Sequence, residues 1–196
     1  MMKRYLVIGL GVLLFSSLLS AEKSKAGTPT PKSPQVSLLV FEDLQCPECR
    51  RTAPLIRQAA STYNIPLVIR DFPLPQHPWS FDGAVFAHFF DAHSKQLGRD
   101  FRDYIYEHQM EITPGNLRSY VERFAAERKI DLPFVIDPQG KLAAEVNADR
   151  DYGRQVGIEH TPTIYVVSDK PAGGRRVEVK NPHSELFQTI DTMKRE

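Results

Sequence analysis

Two cysteines stand in the 196-residue sequence, and only two residues separate them, in Cys46-Pro47-Glu48-Cys49. An apolar run, Val36 to Phe41, leads up to them, and Pro47 suits the first position of a helix because its φ is already near the helical value. A strand that hands a cysteine to a helix N-terminus sets the sulfur among unpaired backbone N–H groups, which favour thiolate over thiol. Thiol–disulfide exchange is the chemistry this arrangement would serve. The spacing also fits a structural staple or half of a zinc site. A staple across so short a loop would restrict the unfolded chain by only roughly 2 kcal/mol on the chain-entropy model.

The start of the chain bears on which of these applies. Lys3-Arg4, an uncharged run from Tyr5 to Leu19 and the small pair Ser20-Ala21 form the three-part pattern of a secretory signal, residues 1–21. The run falls short of the roughly 20 residues that cross a bilayer core, so cleavage near Ala21 is preferred to a retained N-terminal membrane anchor. Residues 22–35, rich in Lys, Ser, Thr and Pro, read as a flexible linker before a domain over 36–196. The expected location is the periplasm or cell envelope, where disulfides are permitted. One possible pair in such a chain suggests use rather than stapling. Loss of Lys3 and Arg4 takes the 25 basic residues to 23, against 24 acidic ones. So balanced a chain lacks the concentrated basic surface that nucleic acid would need as a partner. No motif implies a cofactor.

The elements that must position the cysteines follow in order. Val36 to Phe41 reads as a buried central strand. A helix from Pro47 carries Ile56, Ala59, Ala60 and Tyr63 on one face, with a kink expected at Pro54 and an end at Asn64. Ile65 to Phe72 is a second strand, parallel to the first by a right-handed crossover. Pro73, Pro75 and Pro78 stiffen a loop around His77. Helices are then expected from Trp79 to Leu97, closed by Gly98; around Phe101, Tyr104, Ile105 and His108; from a Thr113-Pro114 cap through Phe124; and from Asp131 to Val156, broken at Pro138. Thr163 to Val167 and Arg176 to Lys180 form a hairpin whose more polar second strand lies nearer the edge. Pro182 to Lys194 is a last helix, burying Leu186, Phe187, Ile190 and Met193.

This succession, with Asp43 three residues before Cys46, Pro54 five after Cys49, the Pro73-to-Pro78 loop, and Gly157-Ile-Glu-His-Thr-Pro-Thr163 ahead of a strand, resembles the thioredoxin superfamily. More narrowly, it is similar to the DsbA-like thiol–disulfide oxidoreductases. The resemblance implies an α/β, thioredoxin-like fold: a central β-sheet flanked by helices, with a helical subdomain inserted at about 76–130 between a β-α-β half and a C-terminal hairpin-helix half. It makes Cys46 the exposed nucleophile with a lowered pKa and Cys49 the more buried resolving thiol. It makes Thr161-Pro162 a cis pair facing the sulfurs, with the Thr161 backbone free to bind an extended substrate. Pro47 and Glu48, between the cysteines, tune the pair. Like-charge repulsion from Glu48 should raise the thiol pKa and place the potential between roughly −120 and −270 mV. The acid that many DsbA-type sequences carry six residues before the first cysteine is replaced here by Val40. Proton transfer to and from Cys49 then falls to Glu42 or Asp43, with Asp43 the one the family match indicates. Protonated His160 could stabilise the Cys46 thiolate, while His77 holds the loop.

The expected activity is that of an exported, monomeric disulfide oxidoreductase acting on cysteine-containing exported proteins and reset by a membrane or soluble redox partner. Oxidation stands ahead of reduction, and a 14-residue linker is too short for the dimerisation domain of an isomerase. The alternatives are a disulfide reductase, a copper- or zinc-handling module using Cys46 and Cys49 with His77 or His160, and a binding domain without turnover.

Overall fold

The apolar run before the cysteines becomes strand β1, Val36–Glu42, at the centre of a four-stranded sheet. The computed structural model describes residues 36–169 and 174–195; the expected signal (1–21), the linker (22–35) and most of the hairpin turn lie outside the described residues. Helix α1, Pro47–Tyr63, leads to β2, Leu67–Asp71, which pairs parallel to β1 from Leu38↔Leu67 to Glu42↔Asp71. Helices α2 (Ser80–His93), α3 (Lys95–Glu107), α4 (Leu117–Glu127) and α5 (Lys141–Gln155) come next. The chain then re-enters the sheet as β3, Thr163–Ser168, antiparallel to β1 from Val36↔Ser168 to Phe41↔Thr163. Strand β4, Arg175–Glu178, pairs with β3, and α6, Pro182–Arg195, ends the described chain. The order is β2-β1-β3-β4, which leaves the polar β4 at the edge.

Strand alternation explains the layers. Val36, Leu38 and Val40 face Ile56 and Ala59 of α1 and Leu186, Ile190 and Met193 of α6. Phe41 points the other way, onto Phe72, Ile158 and Tyr165. Helix α5 closes over that face through Gly153, where a Cβ would come within 2.5 Å of the Phe72 ring. A third cluster joins Phe90, Phe101, Val121 and Phe124 of the inserted helices to Leu44, Trp79, Cys46 and Cys49. The Phe90 and Phe124 rings meet edge to face at 4.9 Å. Full burial of each such ring stabilises the fold by roughly 2–3 kcal/mol before entropy is counted. The core of the insertion and the cysteine pair therefore form one continuous packing unit.

Three sequence expectations differ from the structure among the helices between β2 and β3. The helix expected to close at Gly98 ends at His93, and Ser94 caps α3 by accepting the Leu97 N–H at 3.0 Å. Gly98 lies within α3, where it allows close approach: a Cβ there would sit 2.0 Å from Asp91 Oδ1. Thr113-Pro114 does not start a helix, because α4 begins at Leu117 and the Asn116 side chain accepts the Thr113 N–H at 2.6 Å. The helix expected from Asp131 forms only from Lys141, after Gly140 takes a left-handed φ of 68°.

Candidate active site

Strand β1 ends at Glu42, and four residues later Cys46 is the N-cap of α1, in extended backbone. The turn between them is held from several sides. Its own backbone closes it, with Cys46 N–H donating to Asp43 O at 3.0 Å. The buried Asp43 carboxylate accepts from the N–H groups of Gln45 and Leu74, each at 2.7 Å, from His77 Nδ1 at 2.7 Å, and from the Ser80 hydroxyl. Gln45 Oε1 accepts the Trp79 N–H at 3.0 Å. Asp43 thus ties the cysteine turn to the proline loop, and the expected role of His77 in holding that loop has a partner.

Both cysteines are free thiols. Cys46, expected to be exposed, is 6% exposed, and its thiol donates to the Thr161 carbonyl at 3.3 Å. The Thr161-Pro162 bond is cis. Segments far apart in sequence thus meet at one sulfur. The Cys46 pKa is lowered from 9.0 to about 6. The hydrogen bond from Cys49 is the largest cause; burial opposes it, and Thr161 and the backbone N–H groups of Cys49 and Glu48 add to the lowering. Cys49, 2% exposed, is pushed well above 9.0, first by burial, then by the neighbouring Cys46 sulfur and its charge. Its sulfur accepts the Asp43 N–H at 3.4 Å. One thiol is therefore readily ionised while the other keeps its proton.

The tuning residues are placed differently from expectation. Pro47 is the exposed first residue of α1. The Glu48 carboxylate turns to Arg51 and to the Thr52 hydroxyl, and the hydrogen bond with Arg51 is the main reason its own pKa is lowered. Glu48 acts on Cys46 through its backbone N–H, in the direction opposite to the repulsion expected. His160 is exposed; the Thr163 hydroxyl donates to its carbonyl at 2.7 Å, so the ring Nδ1–H donates to Thr163 Oγ1 at 2.9 Å. His160 is not among the main groups that set the Cys46 pKa. It lines, with Glu48, Thr52, Thr161, Pro162 and His183, a cleft of about 350 Å³ beside the cysteine.

Beneath the pair, Glu42 occupies the same strand face as Val40, one alternation further along. It is buried, and burial, opposed by Arg102, raises its pKa above 4.5; its charge is in turn one of the causes that raise Cys49. Arg102 donates to Glu42 at 3.2 Å and grips Asp71 with two bonds of 2.7 and 2.8 Å. Burial opposes ionisation of Asp71, yet Arg102 and His88 hold its carboxyl well below the usual range. Sequence reasoning missed Arg102. The signal was a cation beside Phe101 and one turn from Ile105 and Tyr106, on the buried stripe of α3. It also missed Gln109, whose amide reaches the cysteine turn. Among the described residues, the His/Cys/Asp/Glu group with converging ligand atoms is Asp71, His88 and Asp149, and it excludes both cysteines. Arg102 and Arg70 already occupy its carboxylates.

Known proteins share this architecture. The structure superposes on that of Wolbachia pipientis α-DsbA1 with a TM-score of 0.67 at 16% identity, covering 84% of this chain and 88% of that one. Pseudomonas aeruginosa DsbA2 gives 0.62 at 19% identity, over 85% and 96%. A periplasmic thioredoxin-like protein from Salmonella enterica serovar Typhimurium gives 0.66 at 16%, over 84% and 87%. Among curated proteins, the Na(+)/H(+) antiporter NhaA 1 of Salinispora arenicola is 26% identical over 150 residues, 76% of this chain, and NhaA 3 of Salinispora tropica is 26% identical over 151. The chain spans 22% of the length of each of these antiporters. The model of the thioredoxin family matches residues 30–192, which takes in the cysteine turn, the insertion and the cis-proline loop alike. The chain belongs to the thioredoxin family, and its fold is the DsbA-like form in which helices separate the two halves.

Proposed function

We propose that the chain is an exported thiol–disulfide oxidoreductase of cysteine-containing proteins, with oxidation of substrates ahead of reduction. The observation that carries this is the contrast within one pair: a Cys46 pKa of about 6 beside a Cys49 held well above 9.0. In the oxidising direction, a substrate thiolate attacks Cys46 Sγ of the Cys46–Cys49 disulfide. The S–S bond breaks, and Cys49 leaves and takes a proton. Glu42, whose pKa is raised and whose charge acts on Cys49, is the proton donor in this reading. A second substrate thiolate then attacks the substrate sulfur of the mixed disulfide and expels Cys46. The lower the pKa of a leaving thiol, the faster it leaves, so Cys46 favours completion of the substrate disulfide. The two electrons left on the Cys46–Cys49 dithiol pass to a membrane or soluble redox partner, which restores the disulfide.

Glu48 no longer argues against oxidation, because its carboxylate is engaged by Arg51. The cleft beside Thr161, whose carbonyl meets the Cys46 thiol, supports an extended protein substrate rather than a small thiol. The signal pattern at residues 1–21 supports export to the periplasm or envelope. The test is equilibration of the purified protein with glutathione buffers, together with oxidation of a reduced, unfolded protein by the disulfide form. Oxidation is expected to be lost in Cys46→Ser, and Cys49→Ser should accumulate a mixed disulfide at Cys46. A potential below that of thioredoxin, roughly −270 mV, would overturn the oxidative direction.

A further inference from the structure

We propose that Gln109, supplied by the insertion, is a positioning residue for the redox pair: its side-chain amide holds the Cys46 carbonyl and so favours the thiolate on the same residue. Gln109 follows the end of α3 and is 5% exposed. Its Nε2 donates to Leu44 O at 2.8 Å and to Cys46 O at 3.0 Å. Chemistry fixes the orientation of the amide, because both contacts are carbonyl oxygens and only the NH₂ end can face them. Both of its hydrogens are thereby used on the cysteine turn, while Oε1 is buried with no partner among the described residues. Leaving that acceptor unpaired costs free energy, which the two donated bonds must offset.

The Cys46 carbonyl also accepts the Arg50 N–H at 3.2 Å, the bond that closes the first turn of α1. Gln109 therefore grips the acceptor that orients the N-cap. One amide hydrogen blunts the negative end of the Cys46 carbonyl dipole, on the residue that carries the sulfur, and the other does the same at Leu44; this matters most when that sulfur is ionised. The grip comes from a rigid support. Asn116 Nδ2 donates to Glu111 O at 2.9 Å and the Tyr120 hydroxyl donates to Glu111 Oε2 at 2.8 Å, which fastens the turn after Gln109 to α4. The insertion thus acts directly on the chemistry of the cysteine pair as well as covering it. The consequence for turnover rests on the exchange reading above, but the test does not.

The experiment reads the pH midpoint of Cys46 alkylation in the reduced full chain, by mass spectrometry, alongside thermal melting. Gln109→Met, similar in length and without donors, should raise the midpoint by about half a pH unit, halving the thiolate fraction near the wild-type midpoint. Gln109→Glu, which sets an acceptor against two carbonyl oxygens, should raise it further and decides the matter if Gln109→Met does not fold. Val121→Ala, a cavity in the core of the insertion away from the turn, should lower the melting temperature and leave the midpoint in place. Gln109 variants that melt earlier with an unmoved midpoint would reduce the residue to a structural tie and overturn the proposal. Shifted midpoints in a protein whose wild type fails to exchange disulfides would retain the proposal and discard the exchange reading.

Discussion

In the reduced protein the Cys46 pKa of about 6, against 9.0 for an ordinary thiol, sets how its reactivity should vary with pH. The thiolate is the reacting species, but its nucleophilicity falls with its basicity, with a slope of about 0.4–0.5 on the logarithmic scale. The drop from 9.0 to about 6 therefore slows the thiolate itself by roughly twentyfold. Near pH 6 about half of Cys46 is ionised, against about one in a thousand ordinary thiols, so Cys46 should outrun a free cysteine peptide by roughly twentyfold. The lead shrinks to roughly fourfold near pH 7, the curves cross at about pH 7.7, and above it the peptide is faster. Pseudo-first-order alkylation with iodoacetamide from about pH 4.5 to about pH 9.5, read at Cys46 and at the peptide together, measures both limbs. Cys49→Ala removes the largest cause of the lowering and should move the midpoint up by about one pH unit. The stability of the reduced form has the matching sign. It binds fewer protons than its unfolded chain between about 6 and 9.0, so stability rises with pH across that window and is lost as pH falls through about 6. Cys46 rates that climb beside those of the peptide through pH 8 to 9, with no crossing, would refute the reasoning.

Arg102→Met should destabilise the protein by about 3–5 kcal/mol, because it leaves the buried carboxylates of Glu42 and Asp71 without their shared guanidinium. Urea unfolding checks this, and a cost under about 1 kcal/mol would contradict it. Glu42→Gln should act oppositely on stability and rate. The raised Glu42 pKa means that stability is lost as pH rises through it, so a neutral amide is expected to hold or raise stability near neutrality. The same substitution should lengthen the lifetime of a mixed disulfide at Cys46 by about tenfold or more, measured by acid quench. Gly98→Ala should cost about 1–3 kcal/mol in thermal unfolding, since the new methyl displaces Asp91 from its contacts with Lys95 and Arg102.

What could be read from the sequence was what local chemistry dictates. The run into Cys46, the proline at the start of α1, the polar second strand of the hairpin and the apolar face of α6 each signal their structure within a few residues, and each forms as expected. The failures have a common physical source. Gly98 can end a helix or admit a close neighbour, and only the position of Asp91 selects the second. Cys46 was expected in solvent because its N-cap position is local, whereas its cover is a carbonyl 115 residues away. Glu48 was read as a charge beside a sulfur, but Arg51, one turn on, redirects it. Asp43 matched a family position, and its four partners, spread from Gln45 to Ser80, turn that acid into a brace. Arg102 and Gln109 act through backbone and carboxylate partners that no spacing rule connects to them.

The distance in sequence between Cys46 and Thr161 also has a meaning for biosynthesis. A ribosome adding about 5–20 residues per second completes Thr161 roughly 6 to 23 s after Cys46. Until then β1 has β2 along one side and nothing along the other, since β3 is still to come. A chain clipped ahead of β3 would present Cys46 without its Thr161 cover next to an open strand edge, which invites cross-linking and strand addition from neighbouring chains. The cover that Thr161 gives Cys46 exists only once the chain has passed the insertion, so completion of the chain itself decides how accessible that thiol is.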